Sequence, residues 1–169
     1  MPPSSFIADS MGLKILMVCH GNICRSPMAK GIMIHKLAEM NIKDVEVDSA
    51  GTSDYHAGEA PDARTIANGK THGIDVSSYR AKQFKSADFE KFDRIYAMDA
   101  ANYADIMLLA ESEKQNAKVR LFLNAADPKS HGSVPDPWYG GPEGFEKVFH
   151  ILDKACTAIA KEIGNAKLP

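Results

Sequence analysis

The chain has 169 residues, 44% of them hydrophobic and 25% charged, with a formal net charge of −2. These are the values of one ordinary globular domain with a real core. The near-neutral balance without a long basic run excludes nucleic acid as an implied partner, and no apolar run is long enough to cross a membrane.

Residues 1–12, with Pro2, Pro3, Ser4 and Ser5, read as a loose N-terminal arm, leaving 13–169 as the domain. Met1 to Met11 lack the apolar core and basic start of a secretory signal, and the three cysteines are an odd count, so a reducing cytoplasm is expected. Ile15-Leu16-Met17-Val18 reads as a short buried strand. Cys19 follows, then five residues and Arg25. A helix is expected from Pro27 to about Met40, with Ser26 as its N-cap and Pro27 at its first position. Ala29, Met33, Leu37 and Met40 share one face of it, and His35 falls at the surface.

Strand, tight loop and helix in that order have chemical consequences. Ligands bind in open α/β sheets outside the C-terminal ends of strands. Loop N–H groups and a helix N-terminus attract anions, and Arg25 adds a planar two-toothed donor suited to phosphate oxygens. Cys19 in that positive field has its thiolate stabilised, and a thiolate facing phosphorus can form a cysteinyl-phosphate. Cys24 sits in the same loop, so spacing alone leaves it equally a packing residue or a second thiol within reach of Cys19.

Val45-Glu46-Val47 alternates as a second strand and ends in a loop, Asp48 to Thr52, where Asp48-Ser49 reads as a turn. Ala60 to His72 reads as a helix with Pro61 and Asp62 in its first turn and Gly73 as its stop. Phe92 to Met98 is a third strand. Asp99 caps a helix to about Ala110, with Ile106, Leu109 and Ala110 inward, and Val119 to Leu123 is a fourth strand. The alternation predicts an α/β fold: a four-stranded parallel sheet with helices on both faces and an anion-binding loop after strand one.

A long loop, about 124–142, is rich in Asp, Pro and Gly, and such length marks function or mobility. It holds Asp127-Pro128 and Asp136-Pro137, and either aspartate could protonate a leaving oxygen. Only Asp136 is followed by Trp138-Tyr139-Gly140, and Trp138 is expected at a pocket rim. Gly144 to Ile163 reads as a final helix with Phe145, Phe149, Leu152, Cys156, Ile159 and Ile163 on one stripe, making Cys156 inert core packing.

Val18 to Pro27, VCHGNICRSP, resembles the active-site signature of low-molecular-weight protein tyrosine phosphatases, and GNICRSP matches that pattern at seven consecutive residues. Pro61-Asp62-Ala63-Arg64, Gly73-Ile74-Asp75, Tyr79 to Gln83, Met98-Asp99-Ala100-Ala101-Asn102 and Asp136 to Gly140 extend the resemblance over about residues 13–160. It implies metal-independent, cofactor-free hydrolysis of protein phosphotyrosine and small aryl phosphates. Cys19 would be the nucleophile. Arg25 and the loop from His20 through Gly21, Asn22, Ile23 and Cys24 to Ser26 would hold the phosphate. Asp136 would be the general acid. Ser26 would stabilise the thiolate, Ser49 would bond Asn22, and Tyr55, Trp138 and Tyr139 would line the substrate slot. Cys24 would be the redox partner of Cys19. The implied partners are phosphotyrosine-containing proteins and inorganic phosphate or similar oxyanions, with no nucleic acid and no membrane.

Tyr79 departs from the pattern, since the family often has histidine there, in the network behind the loop asparagine. Thioredoxin-coupled arsenate reductases resemble the chain less, because they need further cysteines near residues 80–90 and there are none. Protein arginine phosphatases usually carry threonine where this chain has Ile23. A zinc or redox module built on Cys19, His20 and Cys24 lacks a second ligand pair. A non-catalytic phosphotyrosine-binding module would not need Cys19, Arg25 and Asp136 together.

Overall fold

Strand β1 (Leu13–Cys19) is buried on both faces from Ile15 to Cys19, as a central parallel strand must be. In the computed structural model, which describes residues 12–130 and 132–167, β1 pairs in parallel with β2 (Val45–Gly51) on one side and β3 (Arg94–Ala97) on the other. β3 pairs in parallel with β4 (Val119–Leu121), so the order is β2-β1-β3-β4. The expected residues 1–11 of the N-terminal arm lie outside the described residues.

The strand period of two sorts the core into two layers. Ile15, Met17 and Cys19, with Val47 and Tyr96, face one way under α1 (Arg25–Glu39) and the long helix α7 (Pro142–Lys167). Leu16 and Val18, with Ile95, Ala97 and Val119, face the other way. There they meet Phe84, Phe92, Phe89 of α3 (Asp88–Lys91) and Ile106 of α4 (Ala100–Leu109). The expected parallel sheet with helices on both faces is present. Met33 and Leu37 of α1, and Phe149, Leu152, Cys156, Ile159 and Ile163 of α7, are the buried stripes read from sequence.

Several boundaries move. α1 begins at Arg25, its N-cap is Cys24 without a side-chain bond, and Ser26 lies inside the helix with its hydroxyl committed elsewhere. Pro27 is therefore the third helical residue, which costs no hydrogen bond because the first four helical N–H groups have no partner within the helix. β2 runs on through the expected Asp48–Thr52 loop to Gly51, because it stays paired with β1 to its end, where Gly51 stands opposite Cys19. There it also meets the 82–84 segment: Gly51 N donates to Lys82 O (2.8 Å) and Phe84 N to Gly51 O (2.6 Å). α2 (Ala63–Thr71) is capped by the Asp62 carboxylate, which accepts from Arg64 N, so Asp62 precedes the helix. Gly73, at φ +76°, ends it as expected.

Asp99 caps α4 through a reciprocal bond with Asn102. Leu109, expected inward, is 42% exposed, since α4 buries only a narrow edge against the sheet. Three helices escape the sequence pattern: α3, α5 (Glu113–Lys118) and α6 (Phe122–Ala126), each too short to show a period. α6 and a single 3₁₀ turn, Pro137–Tyr139, take up part of the expected 124–142 loop. Among the described residues no helix is long and apolar enough to cross a membrane.

Candidate active site

After β1 the chain crosses to β2 on one flank, then returns to β3 on the other. The crevice outside the C-terminal ends of β1 and β3 is thus the switch point of the sheet. Cys19 ends β1, and Asp99 follows β3 by two residues. Met98 N donates to Val18 O (2.9 Å) and Val134 N to Met98 O (2.8 Å), which straps the 132–136 segment back over the same crevice.

The loop from Cys19 to Arg25 is tied outward by its carbonyls. Thr52 N donates to Cys19 O (2.9 Å), Ser53 N to His20 O (3.0 Å) and Asp62 N to Ile23 O (2.9 Å). Inside, Asn22 N donates to Cys19 Sγ (3.3 Å). Asn22 adopts φ +58°, a left-handed conformation that asparagine tolerates better than most residues. Its side chain is fully used: Nδ2 donates to Ser26 Oγ (2.8 Å) and Ser49 Oγ (3.0 Å), while Oδ1 accepts from Lys82 N (3.0 Å). Gly51 lets β2 come this close, because a Cβ there would meet His20 O at 2.7 Å.

Ser26 Oγ lies 3.0 Å from Cys19 Sγ and 3.4 Å from Ala50 O. Asn22 already fills one of its lone pairs, so the hydroxyl hydrogen is free to point at the nearer sulfur. Cys19 is only 2% exposed, so its sulfur meets solvent through the mouth of the loop alone.

Arg25, 3% exposed, is anchored along one edge. Nη1 donates to Asp99 Oδ2 (2.6 Å) and to Val134 O (3.0 Å), while Nη2 stands 3.7 Å from Asp136 Oδ2. Burial works against its charge, but Cys19, Asp99 and Asp136 outweigh burial and hold its pKa above the ordinary arginine value. Asp136 caps the 3₁₀ turn by accepting from Trp138 N (3.0 Å) through Oδ1, which leaves Oδ2 toward the cradle. Asp127 closes an ordinary turn by accepting from Lys129 N (3.1 Å).

Above the loop is a cavity of about 380 Å³ lined by Cys19, Cys24, Arg25 and Asp136 at its floor and by Tyr55, His56 and Trp138 at its rim. Tyr55 is 83% exposed and packs edge-on to His56, 4.8 Å between centroids. Trp138 stands 5.9 Å from His56, and its carbonyl accepts from Arg64 Nη1 (3.1 Å). The Tyr139 side chain lies outside the described residues. Burial pushes the Cys24 thiol up to about 12 and also raises that of Cys156.

Sequence reasoning missed Asp99 as a partner of Arg25, the Val134 carbonyl, the Lys82 amide behind Asn22, and His56. Asp99 carried a usable signal, since it follows the strand that neighbours β1 in a switch-point sheet. The backbone contacts of Val134 and Lys82 carry none. Tyr79 does not bond Asn22; its ring instead lies under Lys30 Nζ at 4.0 Å, and burial raises its pKa.

A parallel α/β sheet with a thiol, a buried guanidinium and a carboxylate around one cavity at its switch point defines a protein shaped to hold a tetrahedral oxyanion against sulfur. A model of the family described as low molecular weight phosphotyrosine protein phosphatase matches residues 14–168. The low molecular weight protein-tyrosine-phosphatase of Streptomyces coelicolor is 39% identical over 153 residues, covering 88% of this chain and 92% of that protein. The low molecular weight phosphotyrosine protein phosphatase of Saccharomyces cerevisiae is 38% identical over 160 residues, covering 92% and 96%. The crystal structure of a protein tyrosine phosphatase from Entamoeba histolytica, with Hepes in its active site, superposes with a TM-score of 0.85 at 36% identity, covering 93% of this chain and 100% of that one. The chain belongs to the low molecular weight phosphotyrosine protein phosphatase family.

Proposed function

We propose that this chain hydrolyses phosphotyrosine in proteins, and small aryl phosphates, through a cysteinyl-phosphate. The observation that carries the reading is the convergence of Cys19 Sγ, the Arg25 guanidinium and Asp136 on one cavity in a chain of this family. Cys19 Sγ attacks phosphorus and the bond from phosphorus to the phenolic oxygen breaks, with Asp136 supplying that oxygen with its proton. Water then attacks phosphorus, Asp136 takes the water's proton, and the sulfur–phosphorus bond breaks to release inorganic phosphate. Arg25 and the loop N–H groups take up the charge on the three remaining oxygens, so the step needs no metal. Ser26 Oγ and Asn22 N stabilise the departing thiolate.

The aromatic rim supports a slot deep enough for phosphotyrosine and too deep for phosphoserine. Ile23, in place of threonine, supports an aryl ester over a phosphoarginine substrate. Inorganic phosphate would be both product and competitive inhibitor. A thiol nucleophile needs a reducing compartment, which supports a cytoplasmic setting.

Asp136→Ala tests the reading directly, alongside wild type, across a series of aryl phosphates in the presence of chelator. Wild type is expected to turn over p-nitrophenyl phosphate and a phosphotyrosine peptide. The variant should lose about 10²–10⁴-fold on poor leaving groups and far less on activated ones. If Asp127→Ala shows that leaving-group pattern instead, the acid has been misassigned.

Reversible oxidation is a second expected outcome. Peroxide converts the Cys19 thiolate to sulfenic acid, and condensation with the Cys24 thiol forms a disulfide and releases water. Cys24, with its high pKa, is itself a poor target for peroxide. Wild type treated with peroxide should regain activity in dithiothreitol, whereas Cys24→Ser should recover less. Equal recovery, or a Cys19–Cys156 linkage on peptide mapping, would rule the pairing out.

A further inference from the structure

Away from the cavity, a second cluster of chemistry-bearing side chains lies on the seam between the end of α2 and the start of α7. His72 is the C-terminal cap residue of α2, while Glu146 and His150, four residues apart, share one face of α7. His72 Nε2 is 2.7 Å from Glu146 Oε1, and His150 Nε2 is 2.9 Å from Glu146 Oε2. One ligand atom from each of the three residues can be chosen so that all lie within 4.8 Å of one another.

We propose that His72, Glu146 and His150 form a binding site for a divalent first-row transition ion of the zinc class, with water completing the shell. Two imidazole nitrogens and one carboxylate suit such an ion, whereas calcium and magnesium call for oxygen ligands. Metal–ligand bonds of about 2.0–2.2 Å place tetrahedral ligand atoms about 3.3–3.6 Å apart, which rotation of the exposed His150 can reach. The site is also braced. The His72 ring stacks on Phe149 with centroids 3.7 Å apart and planes 8° apart, which fixes its direction. Asn68 Nδ2 donates to Glu146 Oε1 (2.9 Å), the kind of outer contact that orients a carboxylate ligand. His150 is the most exposed of the three side chains, at 64%, and opens the site to ions from solvent.

On binding, each neutral imidazole carries its proton on Nδ1 and turns the Nε2 lone pair to the ion. The Nε2–H bonds to Glu146 are thereby replaced by bonds to the metal. The ion would pin α2 to α7 across Phe149. The first turns of α7 also carry Phe145, which packs against Ile23 and Cys24 of the loop, so the pin sits behind the cradle without entering it.

Titration of the metal-free, full-length protein with Co²⁺, read by visible absorption and calorimetry, tests the site. The expected result is saturation at a single ion per chain, ligand-field bands without a thiolate charge-transfer band, and a raised thermal midpoint. His150→Ala and Glu146→Gln should each lose saturable binding while metal-free phosphatase turnover stays unchanged. Asn68→Ala should weaken binding about 10–100-fold. The proposal is overturned if wild type shows no saturable binding, if His150→Ala binds as well as wild type, or if a thiolate charge-transfer band assigns the ion to Cys19 or Cys24.

Discussion

Replacing Cys19 by serine is expected to abolish turnover while leaving phosphate binding in place. Cys19 Sγ accepts from Asn22 N and lies beside the Ser26 hydroxyl, and a serine oxygen can take both contacts without moving the loop. The anion cradle proposed above is made of Arg25 and backbone N–H groups, which the substitution does not touch. What is lost is nucleophilicity, since a serine hydroxyl remains protonated at neutral pH and, among the described residues, no histidine bonds to Sγ to take its proton. Loss of the attacking atom of a covalent mechanism costs on the order of 10⁴–10⁶-fold in kcat. Steady-state assay with p-nitrophenyl phosphate gives the rate, and calorimetric titration with inorganic phosphate gives the binding. Substantial turnover by Cys19→Ser would move the nucleophile elsewhere.

Arg25→Lys is expected to be nearly as damaging as Arg25→Ala, with kcat down about 10²–10³-fold in both. The reason lies in how the guanidinium is held. Nη1 is taken up by Asp99 and Val134 O, which anchors one edge and leaves the other N–H groups to meet the oxyanion. An ammonium bound to Asp99 has no second edge to present. The buried position also leaves a lysine little room to find another pose. Measuring kcat, KM and inhibition by inorganic phosphate in both variants decides the matter. A mild loss in Arg25→Lys alone would show that charge suffices and that the planar fork does not matter.

The loop was legible in the sequence because its signal is local. A strand end, a thiol, an arginine six residues on and a helix start are written in one stretch from Ile15 to Pro27. The stripe of α7 was legible for the same reason, through its regular period. Ser26 shows where local rules stop. It has the makings of an N-cap, but it lies one residue inside the helix start and its hydroxyl is taken up by the Cys19 sulfur and the Asn22 side-chain amide. Asp99 was readable as a cap, and its Oδ1 serves as one by accepting from Asn102 N (2.7 Å). Its other oxygen meets Arg25, 74 residues away, which follows only from the strand order that sets β3 beside β1. The extension of β2 to Gly51 likewise depends on its backbone pairing with β1 as far as Cys19, which no side-chain pattern announces.

The alternation along β1 gives the two sides of the sheet unequal duties. Leu16 and Val18 fill one layer and answer only to packing. Ile15, Met17 and Cys19 fill the other, so the sulfur proposed as nucleophile is the last knob in a row of ordinary core side chains. The aim of the nucleophile is therefore inherited from how well Met17 and its neighbours in α1 and α7 fit together. A library of core replacements would separate the layers. On the Leu16 side, whatever folds should also react. On the Met17 side, there should be chains that fold well and react poorly, because a fraction of an ångström absorbed by the packing is passed on to the sulfur.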